Sequence, residues 1–265
     1  MKLRMLAVLG CVGLMTGCIA EMDAAEAEAE AVDEASSAIV SDNALNFNAL
    51  NFNALSPSNL DALQDPSATG ATARQLMRYM ASCALTSTQS FQFEWTDELG
   101  ILHTESYPGH LGLAPTWATQ PLSLDGQRLV SACLAARTNY YQVPVQISAR
   151  SHVDQLRTKV KSSEVTAYPD VEGVFWGNLF AAQPYLNACY NSATVDNSRA
   201  WQRDCAVGHV NASGDVEECG LIHIVGPCNQ VCQGLNNAGR YYASCYERPG
   251  VSLVTTSRVI TTALP

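Results

Sequence analysis

Apolar residues recur at three- and four-residue spacing twice along this chain and alternate with polar ones in several short stretches. That mixture predicts two main helices and a set of small antiparallel strands. Ala73, Leu76, Met77, Met80, Cys83 and Ala84 mark one side of the first helix, with Arg74 and Arg78 opposite. The second helix is expected to be capped by Asp125, to carry Leu129, Val130, Cys133, Leu134, Arg137 and Tyr141 on one side, and to be closed by Pro144. Ahead of both, Ser56 and Pro57 read as the cap and first residue of a short helix reaching Leu63 and ending near Pro66. Phe91, Phe93 and Trp95 alternate with Gln92 and Glu94, residues 97–100 supply turn chemistry, and residues 101–107 run back as the second arm of a hairpin. Residues 209–211 and 216–225, separated by 212–215, predict a second hairpin. Further strands are expected at 143–148 and in the Val-, Ile- and Thr-rich tail 251–262. The fold class is therefore α+β, with two helices packed on short antiparallel strands and hairpins.

Cysteine content adds staples to that picture. Of ten cysteines, Cys11 lies in an N-terminal stretch that begins with Lys2 and Arg4, continues as an apolar run over 5–14, and is too short to span a bilayer. The small residues Thr16 and Gly17 before Cys18 resemble the lipobox of bacterial lipoproteins, although Met15 stands where that family usually has Leu. The resemblance implies that residues 1–17 are a removable signal peptide, that Cys18 takes a lipid, and that the membrane is met through that lipid alone. Cys83, Cys133, Cys189, Cys205, Cys219, Cys228, Cys232 and Cys245 remain, an even number that in an exported chain reads as four disulfides. Cys83 and Cys133 each fall on the apolar side of a predicted helix and are expected to bond to each other. The other six crowd into residues 189–245.

The net charge of −10 is unevenly spread. Residues 21–42 hold eight acidic side chains and no basic one, whereas from Pro66 onward 15 acidic side chains meet 13 basic. Residues 18–56 thus read as an acidic, solvated tether, and 57–265 as a single cysteine-rich domain. A flexible tether of about 38 residues reaches on the order of 35 Å. Within it, Asn43-Ala44-Leu45-Asn46-Phe47 is repeated and then begun again. Two and a half units fall short of one solenoid coil, so the repeat is either spacer or a strand that docks on the body or on a partner. Around 151–163 the chain is polar, with Arg150, Arg157, Lys159 and Lys161. Without interleaved aromatics these cations read as a solvated face, and nucleic acid is not expected as a partner.

Candidate chemistry is sparse. No Gly-x-Ser-x-Gly elbow, His-Glu-x-x-His helix or phosphate-cradling glycine loop occurs. Cys133 has no helix N-terminus or cation beside it to lower its pKa, so a disulfide is expected there rather than a thiol nucleophile. Cys219, His223, Cys228 and Cys232, with His209 nearby, have spacings that suit a Cys3His zinc site. That set would use three of the eight cysteines and leave an odd five, and in an oxidising compartment disulfides are preferred, so neither metal nor cofactor is expected. Cys228 and Cys232 are separated by three residues, wider than the gap of thioredoxin-like redox motifs.

Segments 73–85, 128–148, 173–180 and 218–228 resemble those of a group of cysteine-rich, uncharacterised lipoproteins from myxobacteria. The resemblance implies export, lipidation and one stapled domain at the cell envelope, with the outer membrane as the expected address. Lipid, spacer and rigid body are parts suited to display of a binding or interaction domain, for which Tyr140-Tyr141 and Tyr241-Tyr242 offer aromatic contact surface. The alternative is an envelope-anchored hydrolase, which would need His103, His110, His209 or His223 facing a carboxylate in a deep cleft.

Overall fold

The computed structural model describes residues 32–35, 61–141, 143–157, 161–236, 238 and 240–265. The signal segment, Cys18, the Asn-Ala-Leu repeat and the expected helix start at Ser56 lie outside them.

In chain order the elements are β1 (Val32–Ala35), a 3-10 turn at Asp61–Leu63, α1 (Ala68–Ala84), β2 (Ser90–Thr96), β3 (Leu102–Pro108), α2 (Leu124–Ala136), β4 (Val145–Arg150), α3 (Asp154–Arg157) and α4 (Ser162–Ala167). There follow β5 (Asp170–Asn178), β6 (Tyr185–Tyr190), α5 (Val195–Ala200), β7 (His209–Val210), β8 (Val216–Glu217), β9 (Ile222–Pro227), α6 (Cys228–Val231), β10 (Cys245–Tyr246), β11 (Thr255–Thr256) and β12 (Ile260–Leu264). Six strands form one sheet in the order β1-β4-β12-β5-β6-β9, antiparallel throughout except for the parallel pair β6 and β9. The α+β class with disulfide staples is thus the observed one.

Each face of the sheet buries its own core. On one side α1, α2 and the hairpin β2–β3 bring Met80, Leu134, Phe93 and Tyr107 against Phe175, Ala188 and Ile260. On the other, Val174, Trp176, Cys189 and Ala263 pack on Tyr168, Cys228, Tyr242 and Cys245. Successive strand residues point to opposite faces, which is why Phe175 and its neighbours Val174 and Trp176 serve different cores. Gly173 is required where β5 meets β6, because a Cβ there would sit 2.2 Å from the Cys189 carbonyl oxygen.

Four disulfides join Cys83 to Cys133, Cys189 to Cys228, Cys205 to Cys219 and Cys232 to Cys245. The first ties α1 to α2 with Cα atoms 6.1 Å apart, as their apolar faces require.

Several expectations are corrected. Part of the supposed tether, Val32–Ala35, pairs antiparallel with β4 and covers what would otherwise be an open sheet edge. Ser123, not Asp125, caps α2 by accepting from the Gly126 amide at 3.1 Å. That helix stops at Ala136, far short of Pro144, because Thr138 bonds back to the Leu134 carbonyl and Asn139 starts a turn. The second hairpin is only β7 and β8; Cys219, tied back to Cys205, turns the chain so that β9 runs parallel to β6 instead. The tail strand is Ile260–Leu264, buried along its whole length between β4 and β5, while Val251, Leu253 and Val254 stay exposed.

Two arginines expected on solvated faces are buried. Arg74 donates to the carbonyls of Leu63 and Asp65 at 3.0 and 2.7 Å and lies 3.4 Å over the Trp95 ring, so it satisfies the turn before α1. Arg150 donates to Ser148 Oγ and to the Tyr168 carbonyl, with the Glu164 carboxylate also bonded to Ser148. Burial lowers the Arg150 pKa and raises that of Glu164.

Candidate functional site

The end of α2 and the loop after α5 converge on a place where an aromatic surface rests on a buried acid. Asn139 Oδ1 accepts from the Tyr141 amide at 2.9 Å while its Nδ2 donates to the Val143 carbonyl, an Asx turn that holds Tyr140 and Tyr141 in place. Across from them, Asp204 accepts through its backbone carbonyl from Val207 and Gly208 at 3.0 and 2.6 Å, and the Cys205–Cys219 bond pins the same loop. Gly208, at φ +88°, then delivers His209 into β7.

Arg203 fastens these halves together. Its guanidinium donates to the carbonyls of Ala136 and Thr138 at 2.8 and 2.9 Å, taking up carbonyls left open where α2 ends, and to Glu172 Oε2 at 3.0 Å. The aromatic turn and the Asp204 loop therefore share a buried clamp.

Within the site, Tyr141 donates its hydroxyl to Asp204 Oδ2 at 2.8 Å, and His209 Nδ1 lies 3.1 Å from the same oxygen and 3.2 Å from the Tyr141 hydroxyl. An ionised carboxylate only accepts, so the contact with Asp204 puts the hydrogen on Nδ1 and leaves Nε2 of a neutral ring as an acceptor. The Tyr140 ring stacks on His209 with centroids 3.7 Å apart and planes 13° from parallel. Tyr141 meets His209 edge-on at 5.4 Å. Asp204 is buried, whereas Tyr140 and Tyr141 are 37 % and 39 % exposed. Burial first, then the hydrogen bond to Asp204 and that residue's charge, pushes the Tyr141 phenol up to about 12. The result is a stacked ring pair with a single basic nitrogen, held rigidly at the surface.

Two open grooves lie elsewhere. One, of about 470 Å³, runs between Leu113, Leu129, Val153 and Arg258. The other, of about 390 Å³, is bounded by Val231, Tyr246 and residues 249–253.

The other histidines proposed from sequence are less committed. His103 pairs with Asp97 at 2.9 Å while stacking on Trp95, and His223 pairs with Glu218 at 2.7 Å on an exposed edge. His110 is half-buried at a bridge to Thr86. The alternative zinc set is dispersed: Cys219, Cys228 and Cys232 each bond a different cysteine, and His223 faces Glu218. Tyr140 and Tyr141 reach the surface as expected, but Tyr242 belongs to the second core. Sequence reasoning missed Asp204, which no motif marks. The four disulfides fit an extracellular or periplasmic setting, and among the described residues no helix is long and apolar enough to cross a membrane. Comparison with protein-family models, with curated proteins and with solved structures finds no match for this chain.

Proposed function

We propose that the protein is a cell-envelope lipoprotein, tethered through a lipid on Cys18 at the outer membrane, whose folded body binds a ring-bearing envelope ligand. The contact surface in this reading is the face of Tyr140, Tyr141 and His209. One observation carries it: the Tyr140–His209 stack is partly exposed at the surface yet fixed from beneath by buried Asp204. A pre-ordered aromatic slab loses little conformational freedom on binding, and its ring faces offer apolar area against which the face of a ligand ring can be buried. The Nε2 acceptor adds direction for a hydroxyl donor, which suits a sugar ring. Saturation-transfer NMR with soluble envelope glycan fragments tests the proposal. Tyr140→Ala should abolish transfer while the melting curve is retained, and unchanged transfer in both Tyr140→Ala and His209→Ala would reject the surface.

The second reading, an envelope-anchored hydrolase, is favoured by the Asp204–His209 contact, which is the geometry of a general base held by a carboxylate. It predicts ester or glycoside turnover that disappears in His209→Ala, with no dependence on Tyr140.

A further inference from the structure

Two of the four disulfides are packed against each other. Cys189 on β6 bonds Cys228, the first residue of α6, while Cys232, at the C-terminal cap of the same helix, bonds Cys245 across an isolated antiparallel bridge. The sulfurs of Cys189 and Cys232, which are not bonded to each other, are 3.6 Å apart, and those of Cys189, Cys232 and Cys245 all lie within 4.8 Å of one another. This is van der Waals contact between sulfurs of separate bonds.

Exposure gives the cluster a direction. Cys83, Cys133, Cys189, Cys205, Cys219, Cys228 and Cys245 are all buried, whereas Cys232 is half-buried and reachable from solvent. Next to it opens the groove of about 390 Å³, walled by Val231 and Tyr246, the chain neighbours of Cys232 and Cys245. Val251 and Leu253 on its rim are 82 % and 85 % exposed, so an apolar stretch of polypeptide has a seat beside half-buried Cys232.

We propose that these two bonds form a single thiol–disulfide exchange site that takes electrons from the dithiol of an exported polypeptide docked in the adjoining groove. A donor thiolate attacks Cys232 Sγ, the Cys232–Cys245 bond breaks, and Cys245 leaves as a thiolate that takes a proton. The donor's second thiol resolves the mixed disulfide, departs as the donor's own disulfide and frees the Cys232 thiolate. Cys232 then attacks Cys189 Sγ at 3.6 Å; a Cys189–Cys232 bond forms, the Cys189–Cys228 bond breaks, and Cys228 takes the second proton. Two electrons and two protons have passed from donor to protein; the surviving disulfide is Cys189–Cys232, and the two new thiols rest on buried Cys228 and Cys245. The Cys228-x-x-x-Cys232 spacing thus works with its two sulfurs in separate bonds.

Peptide mapping of the full chain after treatment with one equivalent of dithiothreitol and trapping with N-ethylmaleimide tests the transfer. The label should appear on Cys228 and Cys245, together with a Cys189–Cys232 linked peptide. Label on Cys232 and Cys245 with Cys189–Cys228 intact would overturn the proposal, as would first reduction at Cys83–Cys133 or Cys205–Cys219. Cys245→Ser supplies the Cys232 thiolate without any reductant. Its free thiol should be divided between Cys232 and Cys228, and confinement to Cys232 would count against the transfer. Should that variant fail to fold, the mapping of the native protein decides alone. For the groove, Leu253→Asp should slow reduction by an apolar dithiol peptide severalfold while leaving reduction by dithiothreitol unchanged; equal rates for both reductants would remove the groove from the proposal.

Discussion

Arg203 and Glu172 form an ion pair at 3.0 Å with both side chains fully buried. The register of β12 against β5 shifts at Thr262/Ala263, so that Thr262 faces Gly173, Ala263 faces Val171, and Glu172 has no partner on β12. A bulge of this kind re-aims a side chain, and here the residue it frees meets Arg203. The pair is imperfectly satisfied, since Glu172 Oε1 and Arg203 Nε find no hydrogen-bond partner. Its own contribution to stability is therefore small, but removing one member leaves a buried charge. Arg203→Ala should cost about 3–5 kcal/mol and lower the melting temperature by roughly 10 °C. The double variant Arg203→Met/Glu172→Leu should recover part of that loss. Recovery stays incomplete because the Ala136 and Thr138 carbonyls lose their donor. Calorimetry of the three proteins checks the order.

The Cys83–Cys133 bond closes a loop with a sequence separation of 50. On the chain-entropy model that contributes roughly 4 kcal/mol, so Cys83→Ala should unfold at markedly lower denaturant and leave Cys133 alkylatable once unfolded. A midpoint within error of the parent would show that the packing of α1 on α2 suffices without the bond.

Tyr141 ties stability to alkaline pH. In the unfolded chain its phenol titrates near the ordinary 10, and in the fold it is pushed up to about 12. A raised pKa means that the fold favours the neutral phenol, so its stabilising contribution is whole below pH 10 and is lost as pH rises through 12. At 39 % exposure the effect is softened by solvent. Difference titration of tyrosinate absorbance between the parent and Tyr141→Phe should isolate one late midpoint near 12. Asp204→Asn should bring it only partway back, since burial is the larger cause.

Lipidation at Cys18 is tested by location. Cys18→Ala should abolish lipid attachment and release the body into the soluble fraction, because in this reading the lipid is what holds the body at the membrane. A variant that remains with membranes after a salt wash would end the lipoprotein reading.

How much of this was legible in the chain depended on the range of the interaction. The helix faces around Cys83 and Cys133 and the alternation of Phe91, Phe93 and Trp95 are local patterns, and the structure has both α1 joined to α2 and the β2–β3 hairpin. Tyr140–Tyr141 and His209 could be named as separate candidates, but nothing in spacing announces that Tyr140 and His209, so far apart in the chain, would stack over Asp204. Arg74, Arg150 and Arg203 defeat the expectation that charge faces water, each because it supplies donors to carbonyls that the fold buries. The central place of β12 is a matter of long-range register, which alternation cannot encode.

Strand β12 lies between β4 and β5 and holds both through antiparallel pairing. Its side chains alternate between the two cores, Ile260 in one and Ala263 in the other. The two faces of the sheet therefore share one fastener, and a change that loosens this strand opens both at once.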